Sequence, residues 1–467
     1  MREPVWESMR AASRMYRNVP VTVSGGSAFA SAAPPIANEG YYRHAPVIAA
    51  VLIAIIAARL HEVIPKVSVL KPALSVGLIG AGLILLQTRQ GILRQVISHP
   101  MIRLLVALLV WAALTAPFAL WPTLALSSTV QILLPILLMT FVILACEPNA
   151  RNLLFLKVGL MGSVAAHGAL LLRHRNFESS ARMGSVASLD PNDLALLMVI
   201  AFPFAVSMAL HSRGKRRWVS ILAALVFLTV VVVSGSRGGT LALLVTGLVY
   251  VASAKGLRRM FAFVVLLACG LLTWALAPNW FRSRMATVTN LETDYNSFEY
   301  DGRKAIWARA RGYIRENPVM GVGMFNFTVA EGNALTAAGS RGKWSTTHNS
   351  YLQVASELGL VGAAIFLSIL GLAIAQARAL RRAHASNREL RGGQPEFLAA
   401  LAGFAAGGYF LSHAYFYAFY ALAALTFFAH RVAMASSVPN LAAPVAPVTK
   451  SRGARGFRSL RTAHLSR

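Results

Sequence analysis

The sequence has few charged residues for its length. Only 13% of its 467 residues are charged and 56% are hydrophobic, whereas a soluble globular domain carries about 25% charged residues. This deficit excludes an ordinary cytosolic enzyme and an intrinsically disordered protein. Apolar stretches long enough to cross a bilayer recur between residues 45 and 430. The sequence therefore predicts an all-α, polytopic helical membrane protein.

Cysteine and acidic residues are also scarce. Cys146 and Cys269 both lie in apolar runs and are interpreted as small core side chains, which excludes a disulfide scaffold and a cysteine zinc site. Seventeen Asp and Glu against 45 Lys and Arg give a net charge of +28. In a soluble protein this excess of basic residues would suggest a nucleic-acid partner. In a membrane protein, the first question is on which side of the membrane the basic residues lie.

We predict about 12 transmembrane helices from runs of about 17–25 apolar residues. The predicted spans are 45–60, 68–87, 104–120, 124–146, 153–172, 194–211, 219–234, 239–255, 260–277, 351–377, 397–412 and 414–430. An even number puts both termini on one side, and the positive-inside rule puts that side in the cytoplasm. Most of the net charge is then explained by basic residues in the cytoplasmic segments, and we predict no nucleic-acid partner.

Outside the spans, three segments are distinctive. The first apolar run begins only near residue 45, which is too late for the hydrophobic region of a cleavable signal peptide. Residues 1–44 are therefore expected to form a disordered basic cytoplasmic extension. Residues 431–467 form a basic cytoplasmic tail, predicted to contact anionic membrane lipids. Residues 278–350 separate spans 1–9 (45–277) from spans 10–12 (351–430) and form a predicted large periplasmic loop, the kind of connection that usually carries function.

A lone arginine, Arg237, lies just before the eighth predicted span within the sequence Ser-Gly-Ser-Arg-Gly-Gly. A positive charge at a helix N-terminus opposes the macrodipole. The small neighbours Gly238 and Gly239 would let a bulky anion approach, and a guanidinium fork suits phosphate oxygens. A snorkelling arginine in a Gly/Ser turn explains the pattern equally well, so both interpretations stay open here.

The connection before the sixth span carries three more arginines, on a face that should otherwise be poor in positive charge: Arg173, Arg175 and Arg182. It ends in Asp190-Pro191-Asn192-Asp193. These residues predict a capped helix start, with Asp190 as N-cap and Pro191 in the first turn.

Within the long loop, residues 301–317 carry basic side chains at helical spacing, which usually indicates a solvated helix face. The nearby acidic residues resemble metal motifs only weakly, and no metal is predicted. They are Glu292, Asp294, Glu299 and Asp301.

The sequence Thr-His-Asn-Ser-Tyr-Leu-Gln leads into the tenth span. Ser350 and Gln353 match a capping box, which leaves His348 as an imidazole at the membrane surface. Such a residue can act as a general base near neutral pH, although a lone surface histidine is more often inert. Glu357 lies deeper, on the opposite helix face, and is interpreted as a structural partner of an arginine. Gly359 and Gly362 are expected to allow close helix packing.

Together these motifs resemble the O-antigen ligase/polymerase superfamily of multispanning bacterial enzymes. The resemblance rests on the order and placement of three groups: residues 234–239; Gly302-Arg303 with Trp307 and 317–323; and His348-Asn349 followed by Gly359 and Gly362. It implies a GT-C-like fold and transfer of an O-antigen polysaccharide from undecaprenyl pyrophosphate to a lipid A-core acceptor. Transfer would occur at the periplasmic face of the inner membrane, by inversion and without metal, ATP or another cofactor.

The resemblance also implies roles for particular residues. His348 would be the catalytic base, and Arg237 and Arg303 would bind the pyrophosphate, since arginines can offset leaving-group charge without a divalent ion. The secondary pyrophosphate candidates are Arg173, Arg175 and Arg182, and the supporting residues are Asn349, Tyr351, Glu357, Gly238 and Gly239.

Two alternatives remain. An O-antigen polymerase or a protein O-oligosaccharyltransferase shares parts of these motifs and differs in its acceptor. A transporter for lipid-linked sugars would also be polytopic and basic, but transporters bind at the bilayer midplane and often contain internal repeats. The candidate residues here cluster at one rim of the membrane, and the sequence shows no repeat.

Overall fold

The computed structural model describes seven stretches of the chain. They are 40–57, 71–174, 190–254, 256–286, 302–339, 344–382 and 394–437. The predicted terminal extensions therefore lie mostly outside the described residues.

All regular elements among the described residues are helical. They are α1 (Ala45–Leu52), α2 (Pro72–Gln87), α3 (Gln90–Ile97), α4 (Pro100–Thr115), α5 (Pro122–Ser128), α6 (Leu134–Ala145), α7 (Ala150–His174), α8 (Pro191–His211), α9 (Lys215–Ser234), α10 (Arg237–Ser253), α11 (Leu257–Leu276), α12 (Asn279–Ala286), α13 (Arg303–Glu316), α14 (Phe327–Ala337), α15 (Ser350–Arg382), α16 (Pro395–Gly408) and α17 (Tyr417–Ser437). Short π or 3₁₀ segments extend α1 and α4 and join α5 to α6.

Within the described residues, each of the twelve predicted spans overlaps a helix or a pair of continuous helices. Within the described part of the chain, seven helical segments are long and apolar enough to cross a bilayer, and three shorter apolar helices accompany them. The chain is thus an all-α polytopic membrane protein, as predicted.

The helices α8 and α17 form the centre of the bundle. Both bury most of their apolar length, whereas α4 and α9 keep one face exposed. Helix α8 packs closely on α9 and α16, and α16 packs on α10. The core is made largely of Leu, Phe and Ala side chains, which give dense packing in an environment where helix association depends on close contact.

The long connection between α11 and α15 contains α12, α13 and α14. Arg309 on α13 forms a two-pronged ion pair with the fully buried Glu331 on α14, at 2.9 and 2.8 Å. Burial and the adjacent Glu331 carboxylate raise the pKa of Tyr313. The predicted solvated face is therefore wrong for Arg309, which attaches α13 to α14.

Lys157 lies within α7, and its positive charge is compensated by partners inside the bundle. Its Nζ is 2.5 Å from Glu396 Oε1 on α16 and donates to Gln394 Oε1 at 3.0 Å. The second oxygen of Glu396 accepts from Ser207 on α8 at 3.1 Å. A buried charge at this depth is tolerated because it is paired and hydrogen-bonded.

Candidate active site

Asn349 caps α15 at the end of the bundle that also carries His348, here termed the His348 end. The Oδ1 atom of Asn349 accepts the backbone N–H groups of Tyr351 and Leu352, both at 2.9 Å, as an N-cap side chain does. The predicted capping box of Ser350 and Gln353 is therefore wrong.

Ser350 and Gln353 instead bind the connection between α16 and α17. The Ser350 hydroxyl donates to the Leu411 carbonyl at 2.7 Å and accepts the His413 N–H at 2.8 Å. Gln353 Oε1 accepts the Ala414 N–H at 3.2 Å. Residues 409–414, here termed the clasp, are thereby fixed against the start of α15.

The same clasp holds the backbone of His348. Its N–H donates to the Ser412 hydroxyl at 2.7 Å, and that hydroxyl is 2.8 Å from the Thr347 hydroxyl. The half-buried His348 has a left-handed backbone, with φ at +50°. A non-glycine residue in this region costs free energy and is maintained by surrounding contacts, often at functional sites. The imidazole is thus presented from a fixed backbone.

Helix α13 is attached to this structure through Trp307. Its indole N–H donates to the Thr347 carbonyl at 2.9 Å, and its ring packs edge-to-face on Tyr409 at 5.4 Å. Asn349 Nδ2 donates to the Tyr409 carbonyl at 3.1 Å. Arg303 begins α13 and lies four residues before Trp307, so both are on one face of the helix. Arg303 and His348 therefore belong to one connected structure.

Arg237 begins α10 at the same end. Ser236 is the N-cap and accepts the Gly239 N–H at 3.0 Å. A Cβ atom on Gly238 would lie 2.9 Å from the Phe410 side chain in the clasp, and one on Gly239 would lie 2.5 Å from Ala195 on α8. The prediction that these glycines admit an anion is wrong, because they admit neighbouring side chains. Their packing brings Arg237 to the clasp.

The supporting residues have structural contacts of their own. The Tyr351 hydroxyl donates to the Ala405 carbonyl on α16 at 2.8 Å, which fixes α15 to α16 one turn below the clasp.

Of the secondary arginines, Arg173 is exposed near the end of α7. Arg175 and Arg182 lie outside the described residues.

The predicted start of α8 is confirmed. Asp190 Oδ1 accepts the Asn192 and Asp193 N–H groups at 2.6 and 2.9 Å, and Asp193 Oδ2 accepts the Asp190 N–H at 3.1 Å. The other Asp193 oxygen lies 3.0 Å from His413 Nε2 in the clasp. This contact was not predicted from the sequence, although a histidine between two apolar spans is a signal for it.

Ten residues into α15, the helix breaks at Gly359, where φ is +67°. The backbone of the turn 318–323 is hydrogen-bonded to α15 at this break. The N–H groups of Val322 and Gly323 donate to the carbonyls of Ser356 and Glu357 at 2.8 and 2.9 Å, and Leu360 donates to the Pro318 carbonyl at 2.8 Å.

Glycine is required at this junction by contact as well as by φ. A Cβ on Gly359 would lie 1.9 Å from the Val319 carbonyl oxygen, and one on Gly321, with φ at +70°, would lie 2.5 Å from the Glu357 carbonyl. A Cβ on Gly362 would meet Leu358 of the same helix at 2.3 Å. The prediction of close helix–helix packing is therefore wrong for Gly359, which accommodates a loop at a helix break, and Gly362 faces a side chain of its own helix.

Glu357 is buried beside this break. The groups facing its carboxyl are the backbone of Phe325 and Phe327, the Tyr415 hydroxyl and the Gln353 amide. None of these groups is positively charged, so the predicted arginine partner is wrong. The Glu357 carboxyl therefore lies between the 325–327 turn and the segment that precedes α17.

A metal-binding cluster of three or more His, Cys, Asp or Glu side chains is not found in the described ranges. Three of the four weak acidic candidates lie in 287–300 and the fourth is Asp301, so all four fall outside these ranges.

The geometry can be set beside known proteins. Residues 222–367 match the family model described as O-antigen ligase. The matched segment runs from α9 into α15 and contains Arg237, Arg303, His348 and Gly359. No curated protein matches the chain. The family match supports the resemblance drawn from the motifs: this segment of the chain is similar to the O-antigen ligase family.

Proposed function

We propose that the protein is an O-antigen ligase, which transfers a polysaccharide from undecaprenyl pyrophosphate to the lipid A-core acceptor. The observation that carries this proposal is a set of three attachments around His348: Ser412 of the clasp binds its backbone, Trp307 of α13 binds the preceding Thr347, and Gly238 of α10 lies against Phe410 of the clasp. These attachments support the assignment of a candidate base and two arginine-bearing helix starts to one site.

In the proposed reaction, His348 accepts the proton of an acceptor sugar hydroxyl. The oxygen attacks the anomeric carbon of the donor as the bond from that carbon to the pyrophosphate oxygen breaks, with inversion. The electron pair leaves with undecaprenyl pyrophosphate. Arg237 and Arg303 stabilise the developing negative charge through planar, charge-assisted hydrogen bonds. Arg173, Arg175 and Arg182 provide further positive charge near the donor, and no divalent metal or other cofactor takes part.

The proposed location is the bacterial inner membrane, with both termini cytoplasmic. The His348 end then faces the periplasm, where residues 278–350 form the large loop. This orientation is supported by the distribution of basic residues along the sequence. Reporter fusions after residues 212, 256 and 384 should report cytoplasm, and a fusion within 287–300 should report periplasm.

A strain lacking the gene tests the activity. We expect full-length polymer to accumulate on its lipid carrier while the lipid A-core stays bare. A core that still carries a single repeat unit would indicate a polymerase instead. Normal lipopolysaccharide together with unglycosylated surface proteins would indicate a protein O-oligosaccharyltransferase.

A further inference from the structure

Six large apolar residues form an exposed surface at the His348 end, here termed the apolar rim: Phe118, Leu120, Trp121, Val319, Met320 and Phe325. Each is between 37% and 69% exposed. The segments 116–126 and 317–328 that carry them contain no charged residue. Apolar surface of this kind marks contact with another apolar phase or partner.

The two segments form a single surface. The Leu120 N–H donates to the Val322 carbonyl at 3.0 Å, and the Trp121 N–H donates to Asn326 Oδ1 at 2.6 Å. The segments also touch closely, since a Cβ atom on Gly323 would lie 2.2 Å from the Ala119 Cβ. The turn 318–325 therefore lies against the connection that follows α4.

The apolar rim continues a lipid-facing stripe. Along the candidate span Pro100–Phe118, one helix face carries exposed apolar residues four positions apart. These are Val106, Val110, Leu114 and Phe118, with exposures of 40%, 49%, 61% and 69%. The last of them belongs to both surfaces. The stripe ends at Trp121, a residue type enriched where a span meets the lipid headgroups.

We propose that the apolar rim lies in the bilayer itself, against the acyl chains of the leaflet at the His348 end. The turn 318–325 is then a membrane-inserted turn and not an aqueous part of the long loop. Because its backbone is hydrogen-bonded to the break in α15, its insertion sets the depth of the α15 start relative to the headgroups. This inference does not depend on the proposed function.

Depth-resolved spin labelling of the full-length protein tests the proposal. Cys146 and Cys269 are replaced by alanine, and single nitroxides are attached after Met320→Cys, Val110→Cys or Asn333→Cys. The protein is reconstituted in nanodiscs of phosphatidylethanolamine and phosphatidylglycerol. Val110 reports the lipid face of α4, and Asn333 is exposed on α14. Collision rates with oxygen and with a water-soluble nickel chelate are then measured.

We expect the ratio of oxygen to nickel collisions at position 320 to exceed that at position 333 severalfold and to lie below that at position 110, which is near the middle of the span. A ratio at 320 equal to that at 333 would overturn the proposal, because the turn would then be in water. A label at 320 that is immobile and shielded from both reagents would also overturn it, since a second copy or another protein would then cover the rim. A second label, after Leu120→Cys, should behave like the one at 320.

Discussion

Polar groups meet at both ends of the bundle, but the two ends are built differently. At one end, Lys157, Gln394, Glu396 and Ser207 form a closed set in which the carboxylate and the ammonium find their partners among neighbouring side chains. Here only Gln394, just before α16, has positive φ, at +47°. At the His348 end, the backbone has positive φ at Phe325 and His348 and glycine breaks in the neighbouring segments.

This difference distinguishes structural charge from reactive groups. A closed ion pair neutralises charges that the membrane would penalise, and it leaves no acceptor site for a substrate. Irregular backbone held by many hydrogen bonds is costly and persists where geometry itself is needed. We therefore expect variants at the His348 end to change catalysis and variants at the Lys157 end to change stability.

His348 should give the largest effect. A positioned general base contributes about 10²–10⁴-fold to turnover, so His348→Ala should lower transfer by that order. His348→Gln should fail almost as badly, because an amide cannot accept the proton at neutral pH. The assay is transfer from lipid-linked glycan to lipid A-core in vitro, with donor binding measured separately. If the glutamine variant transfers at close to the normal rate, His348 only orients substrate.

Lys157→Met should show the opposite behaviour. Removing one member of a buried ion pair costs about 3–5 kcal/mol, because the Glu396 carboxylate loses its partner. We expect a marked loss of thermal stability in detergent, with normal turnover for each molecule that remains folded. The double variant Lys157→Met/Glu396→Leu should recover much of that stability. A loss in the double variant equal to the sum of the losses in Lys157→Met and Glu396→Leu would show that the pair has no net coupling.

Lysine at Arg237 or Arg303 should reduce activity with little change in stability. Removing one donor to a developing oxyanion costs about 10²–10³-fold. Lysine keeps the charge but not the planar fork, so at least about a tenfold loss of transfer is expected. The matched control is Arg311→Lys, an exposed residue on α13. Near-normal transfer by both site variants would favour generic positive charge over a pyrophosphate clamp.

Asp193→Asn should have a smaller effect, because it acts through the clasp. The carboxylate lies 3.0 Å from the imidazole of His413. The backbone N–H of His413 donates to the Ser350 hydroxyl. Asparagine can still hydrogen-bond to the His413 ring, so the free energy of this contact should change by about 1 kcal/mol, and turnover should fall up to about fivefold with an unchanged KM. Asp190→Asn is the control, since asparagine is an equally good N-cap. A loss of the same size in that control would assign the effect to the start of α8.

The sequence is informative where structure is local. Apolar runs predicted helix in all twelve predicted spans, and the cap at Asp190 was predicted because its partners are within three residues. The clasp could not be predicted in this way. Asn349 and Ser350 are both good N-cap types, and Asn349 takes the role because Leu411 and His413, more than 60 residues away, bind Ser350.

The break in α15 escaped prediction for the same reason. Glycines near the start of an apolar run are typical of helix packing, and only the docked backbone of 318–323 distinguishes a break from a packed helix. The contact between Asp193 and His413 joins the start of α8 to the clasp, two segments that are far apart in the sequence. Motif residues could thus be named from the sequence, but the attachments that bring them together could not.

Chelation of divalent metal ions should have no effect on activity. If arginines alone offset the charge of the leaving pyrophosphate, purified enzyme should keep its full transfer rate in excess chelator. Arginine can do this because it stays charged at any working pH and offers five donors to phosphate oxygens. The measurement is the initial rate of transfer with and without chelator, with Arg303→Ala as an inactive reference for background. A loss of transfer activity that magnesium or manganese restores would show that carboxylates matter at the His348 end as they do at the Lys157 end. Carboxylates of the long loop, Glu292, Asp294, Glu299 and Asp301, would then have to join the arginines at the His348 end.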